Sequence, residues 1–382
     1  MKLKVLSQIR EIAQGAWDAL VGPDDPHARW AWLDAFEEAG CVDPTTGWQP
    51  CHLTVWRGSH LIGAAPAYLR SDSDGDFSRD WGWASAAARG GVAYYPKLSL
   101  TIPFTPVTGT RFLVAEGEDR DAILDELARG ALTLAKELSA SCVQVLFPRE
   151  AEAIRLEAHG FSRRVDFQFH WHNDNYADPD DFLARFSSKK RNQARRERAA
   201  PATQGITLRT LRGEELAHDR ANIGRLAFNL HRSTIDKLMW GRRWLNQAFY
   251  DLVFERMPEP LELVVAEREG KVIAGAFNLA TPTRLLGRYW GCFEDHPFLH
   301  FNVCLYHSLD DCIARGLESF EGGAGGEHKI ARGFLPTFTF SSHKFLDPRL
   351  ERPLSDYIKR EADEREAALV RFNAESPILR KR

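Results

Sequence analysis

The sequence predicts a mixed α/β protein in which one module with a mixed sheet is laid down twice along 382 residues. Three observations predict it. A glycine at a hairpin tip is followed five positions later by a second glycine on an apolar strand: Gly58 and Gly63-Ala64 in the first half, Gly270 and Gly275-Ala276 in the second. The arms about these tips, HLTVW with HLIGAAPAYL and LELVVAE with KVIAGAFNLA, have the apolar content of paired strands. Each half then closes on a Gly-Phe pair, Gly160-Phe161 and Gly333-Phe334.

The elements follow in order. Residues 29–39 (RWAWLDAFEEA) predict an amphipathic helix that Gly40 ends, and the hairpin about Gly58 comes next. Residues 71–110 form an insertion rich in Gly, Pro and aromatics; a loop of that length inside a compact domain is functional or disordered, and its aromatic content argues against disorder. A helix over 119–139 leads to a buried strand at 142–147, a helix ending at Gly160-Phe161, and the strand VDFQFHW. The expected layout is a first module over 1–179 carrying the insertion, a basic connecting helix over 180–200, and a second module over 201–382 with a charged C-terminal helix at 353–373. In the second module the strand LLGRYWG ends near Gly291, and a helix runs from near Leu299 to Gly316. Its predicted apolar stripe is Phe301, Leu305, Leu309 and Ile313, with His300, Cys304, His307 and Asp311 on another face.

Composition bounds the class. Apolar residues make up 44%, enough for a core in each of two domains, and a net charge of −3 supplies no global field for nucleic acid or anionic membrane. Six cysteines without a Cys-x-x-Cys pair favour a reducing compartment. No apolar run reaches membrane-spanning length, and the N-terminal stretch lacks the core and cleavage site of a signal peptide. A soluble cytoplasmic protein without a membrane span is expected.

The chemistry-bearing residues concentrate between 284 and 345. His300 sits at the mouth of a helix whose free amides and dipole favour negative charge. Glu327, His328, Lys329 and Arg332 follow four glycines in FEGGAGGEHKIARGFLP. Aminolysis of an ester or thioester needs a base for the amine proton, donors for the oxyanion and alignment of the reactants; these residue types supply them. The same features have plainer readings. The glycines could form an ordinary turn, and they are no P-loop, because no Gly-Lys-Ser/Thr follows. The charged residues could pair among themselves. His300, Cys304 and His307 share a helical face, but such spacing arises by chance and no metal is expected. The run FSSKKRNQARRER (186–198), with Lys189, Lys190, Arg191, Arg195, Arg196 and Arg198, could track a tRNA backbone or a cofactor phosphate, or be solvated surface.

The order of hairpin, strand, helix, strand and Gly-Phe turn resembles the GNAT acyltransferase fold, here as two tandem GNAT-like modules. The segments WLDAFEEAG, TGWQPCHL, RGSHLIGAAPAYL, YYPKL, PFTPVTG, SSKKRNQARRER, LGRYWG, LHFNVCLY, GGEHKIARGFLP and TFSSHKF resemble, in this order from about 30 to 350, the FemAB-like family. That resemblance implies an N-acyltransferase linked to peptidoglycan biosynthesis or recognition. Related Fem-type enzymes take an amino acid from aminoacyl-tRNA to the amine of a cell-wall peptide, whereas GNAT enzymes use acyl-CoA. Either donor is therefore expected, with a small-molecule or peptide amine as acceptor and tRNA contact through 186–198. Three positions depart from the family pattern: Asn302 stands where an acid is usual, Gly325 where a Gln is usual, and His307 where a Gln is common. Asn302 can exchange hydrogen bonds but cannot be a general base. The expected roles are catalysis by Glu327, His328 and His300, and donor binding by Asn302, Lys329, Arg332, Arg288, Tyr289 and Trp290. Acceptor binding is assigned to Tyr94, Tyr95, Lys97 and Thr105 of the insertion. The alternative is a non-catalytic module that recognises a cell-wall peptide or glycan.

Overall fold

The computed structural model describes residues 1–237 and 242–378. The chain forms two compact units, Met1–Phe167 with Phe338–Ala367 and Gln168–Thr337 with Ala368–Arg382.

The first unit contains β1 (Lys2–Leu6), β2 (Trp48–Pro50), β3 (His52–Arg57), β4 (His60–Ala65), β5 (Ala67–Arg70), β6 (Lys97–Leu100), β7 (Leu113–Val114) and β8 (Cys142–Leu146). They pair in the orders β1-β3-β4-β7 and β2-β5-β6-β8. Its helices are α1 (Gln14–Asp18), α2 (Trp30–Glu38), α3 (Trp81–Arg89), α4 (Arg120–Glu137) and α5 (Glu150–Glu157). The buried face of α4, including Ile123, Leu124, Leu127 and Ala131, packs with Leu53, Val55, Leu98 and Val143 in one core.

The second unit begins within β9 (Ser162–His172) and holds β10 (Ile206–Leu211), β11 (Leu261–Arg268), β12 (Lys271–Ala280), β13 (Arg284–Cys292) and β14 (Ser319–Glu321); the chain leaves it within β15 (Leu335–Phe345). Its strands run β10-β11-β12-β13-β14-β9. Its helices are α6 (Pro179–Ala184), α7 (Ser188–Thr203), α8 (Glu214–His218), α9 (Arg220–Ile235), α10 (Gln247–Arg256), α11 (Leu299–Phe301) and α12 (His307–Ala314). The connecting helix expected over 180–200 is thus two, α6 and α7, parted where Phe186 is buried.

One plan is built twice. Hairpins β3–β4 and β11–β12 turn at Gly58 (φ 61°) and Gly270 (φ 73°), and each shifts register near the tip, at Val55/Trp56 and Ala266/Glu267. The second glycine of each pair is needed for close approach. A Cβ on Gly63 would stand 2.2 Å from Ile123 Cγ2, and one on Gly275 would stand 2.7 Å from both Leu230 Cδ1 and the Val264 carbonyl oxygen. Each unit also has a parallel strand pair after its hairpin, β6 with β8 and β13 with β14, although in the first unit β5 comes between the hairpin and β6.

The boundary differs from the one expected, because 338–367 belong to the first unit. The latter part of β15 pairs antiparallel with β8, His343 opposite Gln144. The start of α13 (Pro348–Ala374) then buries Leu350, Leu354 and Ile358 with Trp83, Tyr94 and Phe345. Burial of that apolar stripe decides where the segment goes.

The insertion also departs from expectation. Lys97 is fully buried, with its ammonium 2.9 Å from Asp76 and 2.5 Å from Asp80, and it donates to Ser73 Oγ at 2.7 Å. Tyr94 is buried and donates to Asp80 at 2.8 Å; Thr105 is buried and donates to the Pro103 carbonyl at 2.7 Å. Burial alone would lower the Lys97 pKa, but Asp76 and Asp80 outweigh it and raise it. These three side chains are therefore committed to the interior of the first unit and present no surface to an acceptor. Tyr95, bonded through its hydroxyl to Ser73 at 2.7 Å, is half-buried. Among the described residues no helix is long and apolar enough to cross a membrane.

Candidate active site in the second unit

Strands β13 and β14 pair only at Arg284↔Ser319, Leu285↔Phe320 and Leu286↔Glu321. From Gly287 to Cys292, β13 runs on with β12 alone as its partner among the described strands, because β14 ends at Glu321. On the β12 side Phe277 faces Tyr289 and Asn278 faces Gly287, which makes Arg288 the extra residue of a bulge. A bulge re-aims a side chain and sharpens local twist. Trp290 and Tyr289 lie on opposite faces of β13, Trp290 against His300 and Tyr289 against His231.

The helix that follows starts after Phe298, whose φ of 64° turns the chain, and continues from α11 through a π-helical turn, Asn302–Tyr306, into α12. The extra residue in that turn rotates everything before it by about 100° relative to a regular helix. Leu305, Leu309 and Ile313 keep the expected buried stripe, but ahead of them the buried positions are Leu299, Asn302 and Val303. Phe301, expected in the stripe, is instead half-buried, with the Arg332 guanidinium 3.2 Å from its ring centre. His300 and Phe301 stand in the first turn, where backbone amides have no intrahelical acceptor.

The glycine segment leads into a 3-10 turn, Glu327–Arg332, entered through Gly326 at φ 93°. Lys329 is buried and donates to the carbonyls of Gly323 and Gly325, both at 2.7 Å, so it pins the loop. Burial lowers its pKa to about 8. Arg332 donates to the His328 carbonyl at 2.7 Å and pairs with Glu197 at 2.8 Å. Glu197, itself buried, also accepts from the Tyr306 hydroxyl at 2.7 Å and from Gln193 at 2.9 Å, while its backbone carbonyl accepts from Asn302 Nδ2 at 2.8 Å. One residue of α7 thus joins the π turn to the 3-10 turn.

Two imidazoles meet where these elements converge. The His300 and His328 rings lie 5.7 Å apart, His300 edge-on to Trp290 at 5.0 Å and His328 5.5 Å from Phe301. Burial first, then His328, Lys329 and Arg332, lowers the His300 pKa to about 4. His328 is exposed, and partial desolvation with the same two cations lowers its pKa. Both rings are therefore neutral near pH 7 and able to accept a proton.

The structure therefore brings His300, His328, Lys329, Arg332 and Trp290 together, with Arg288 at the bulge and Tyr289 across the strand. Glu327, at the head of the same turn, is exposed. Two donor-binding expectations meet a different geometry. Asn302 is buried and its amide donates to Glu197 and Phe298 carbonyls, because the π turn rotates it inward. Arg332 is already neutralised by Glu197. Sequence reasoning missed Glu197, Tyr306 and His231. Glu197 carried a readable signal: with Ala194 and Pro201 it sits at i, i+3 and i+7 on the inward face of α7, and an acid there requires an internal cation. Among the described residues no group of three or more His, Cys, Asp or Glu is placed to hold a metal ion.

Fold and site together define a mixed α/β protein of two compact units, each with its own strand hairpin and parallel strand pair. The chain belongs to the FemAB-like family, described as acting in peptidoglycan biosynthesis/recognition, whose pattern matches residues 8–380. Among solved structures, FemX is 12% identical with a TM-score of 0.55, covering 93% of this chain and 100% of its own. The C-terminal domain of a putative lysylphosphatidylglycerol synthetase from Agrobacterium fabrum is 10% identical with a TM-score of 0.54, covering 90% of this chain and 95% of its own. At these identities the likeness is one of fold. No curated protein matches the sequence.

Proposed function

We propose that the protein is an N-acyltransferase that passes an acyl or aminoacyl group from an activated donor, acyl-CoA or aminoacyl-tRNA, to an amine on a peptidoglycan precursor. The observation that carries this reading is the pair of neutral imidazoles, His300 in the first turn of a helix and His328 in the 3-10 turn against it, beside the stretch of β13 that runs on past β14. A donor carbonyl lying against that turn would have its developing oxyanion met by the His300 and Phe301 amides and the positive end of the helix dipole. The amine nitrogen bonds to the carbonyl carbon, the carbon–sulfur or carbon–oxygen bond of the donor breaks, and the amine proton passes to an imidazole and on to the leaving group. Lys329 holds the glycine loop in place and adds positive charge, Trp290 and Arg288 border the acyl group, and Glu327 stands outermost as a further proton acceptor. The family description and the shared fold support this chemistry; the donor is a proposal in either form.

Aminoacyl-tRNA gains specific support from α7. Its inward face is tied to the site by Glu197 and by Arg198, paired with Asp310 at 2.6 Å, while Lys189, Arg195 and Arg196 are exposed on the outside. A polyanion on those cations would bind with affinity falling steeply as salt rises.

The test is transfer of label from radioactive acetyl-CoA or alanyl-tRNA to a muropeptide precursor bearing a free amine. Label is expected on the amine, with His300→Ala combined with His328→Ala lowering kcat by about 10²- to 10⁴-fold. Unchanged turnover in the double variant would refute the site. If neither donor moved the melting temperature of the purified protein, the non-catalytic recognition module would stand in its place.

A further inference from the structure

Strand β13 has a second face, and a histidine waits on it. His231 of α9 stacks on the Tyr289 ring at 4.2 Å and 28°, and its Nδ1 lies 2.9 Å from the hydroxyl of Tyr250, a fully buried residue of α10. That hydrogen bond fixes the imidazole. Among the described residues the other nitrogen, Nε2, has no hydrogen-bond partner, and the residue is 8% exposed.

The seat of this ring is rigid. A Cβ on Gly291 would stand 1.7 Å from the Leu230 carbonyl oxygen, so α9 and β13 touch backbone to backbone. Thr234 adds a hydrogen bond from Oγ1 to the Trp290 carbonyl at 2.6 Å. His231 is thereby held next to the bulge at Arg288, where β13 leaves β14. Burial first, then Arg288, lowers its pKa to about 4. The physical causes act alike on any bound amine: a half-dry site beside a guanidinium disfavours the ammonium and favours the free base, the form that attacks a carbonyl.

We infer that the Tyr289 face of β13 is the acceptor subsite of the second unit, where His231 Nε2 accepts a hydrogen bond from a primary amine and Tyr250 sets the ring's orientation. This rests on the transferase reading and adds to it the side from which the amine arrives, opposite the face that Trp290 and His300 border. Tyr250 is a positioning residue, since it acts only through the imidazole.

Two measurements separate this subsite from the reading it rests on. In the first, the full-length protein without donor is titrated with a peptide carrying one lysine amine, and the imidazole nitrogens are followed by ¹⁵N NMR. The Nε2 signal assigned to His231 should shift, and the peptide's effect should vanish in His231→Ala. In the second, steady-state transfer is compared in His231→Ala, His231→Gln and Tyr250→Phe. KM for the amine should rise about 10-fold or more in His231→Ala, the free-energy equivalent of one lost hydrogen bond to a buried group. KM for the donor should hold, His231→Gln should recover part of the loss through its carbonyl oxygen, and Tyr250→Phe should fall between. Equal changes in both KM values, or none in either, overturn the subsite even where wild-type protein transfers label. A peptide-dependent His231 shift in a protein that transfers nothing would instead uphold the subsite and end the transferase reading.

Discussion

Glu197 shows how much one buried side chain can organise. Its carboxylate receives Arg332, Tyr306 and Gln193, and its backbone receives Asn302, so the segment carrying His328 and the turn preceding α12 share an anchor. Removing one partner of a buried pair leaves the other charge uncompensated, which typically costs about 3–5 kcal/mol. Glu197→Ala should therefore lower stability by that order and loosen His328, while the double variant Glu197→Ala with Arg332→Met should regain most of it. Chemical denaturation of the four members of that cycle decides the matter; a loss in the double variant equal to the sum of the two single losses would show that the pair is not coupled. The same logic explains why Lys97 proved to be an interior residue. A sequence shows that a lysine lies beside tyrosines, but its two neutralising aspartates come from Asp76 and Asp80, and only their positions in space show that its charge is already spent on them.

At the scale of elements, the π turn and the Gly291 contact decide where side chains point. Period-3.6 reasoning located the helix after β13 and its stripe of Leu305, Leu309 and Ile313, yet it put Phe301 inside and Asn302 at the mouth. The inserted residue exchanges them. Gly291 has an equally local consequence. Any side chain there meets the Leu230 carbonyl, which is main chain and cannot swing aside. Gly291→Ala should force α9 off β13, with a stability loss of about 1–3 kcal/mol as for other overpacked sites. Transfer activity should fall more than the lost folded population accounts for, because His231 and Trp290 move together. Thermal melts and kinetics on the same samples test this; a melting temperature equal to wild type would show that the contact is looser than it stands here.

At the scale of the whole molecule, three of the buried imidazoles among the described residues are held without charge: His170 and His231 in the second unit and His343 in the first. Burial first lowers their pKa values to about 3, about 4 and about 3. Their unfolded counterparts take up protons near pH 6.5. Between that pH and about 4 the unfolded chain binds protons that the native one refuses, so stability is full above about pH 6.5 and is lost on acidification. Three such groups contribute a slope of as much as ~4 kcal/mol per pH unit. Urea midpoints should therefore drop markedly from pH 7 to pH 5; a flat profile would contradict the burial of these rings. The sequence by itself determined the duplicated plan, the hairpins at Gly58 and Gly270 and the Gly-Phe closures, because these depend on local backbone conformation and on apolar period. It singled out His300 and His328, whose rings the structure places 5.7 Å apart. Only the tertiary structure decided that 338–367 return to the first unit, that Asn302 and Arg332 are held by Glu197, and that His231 lies across β13 from Trp290. Those outcomes depend on which buried charge finds which partner and which backbone touches which, and such pairings join residues far apart in the chain, where neither spacing nor composition carries a signal.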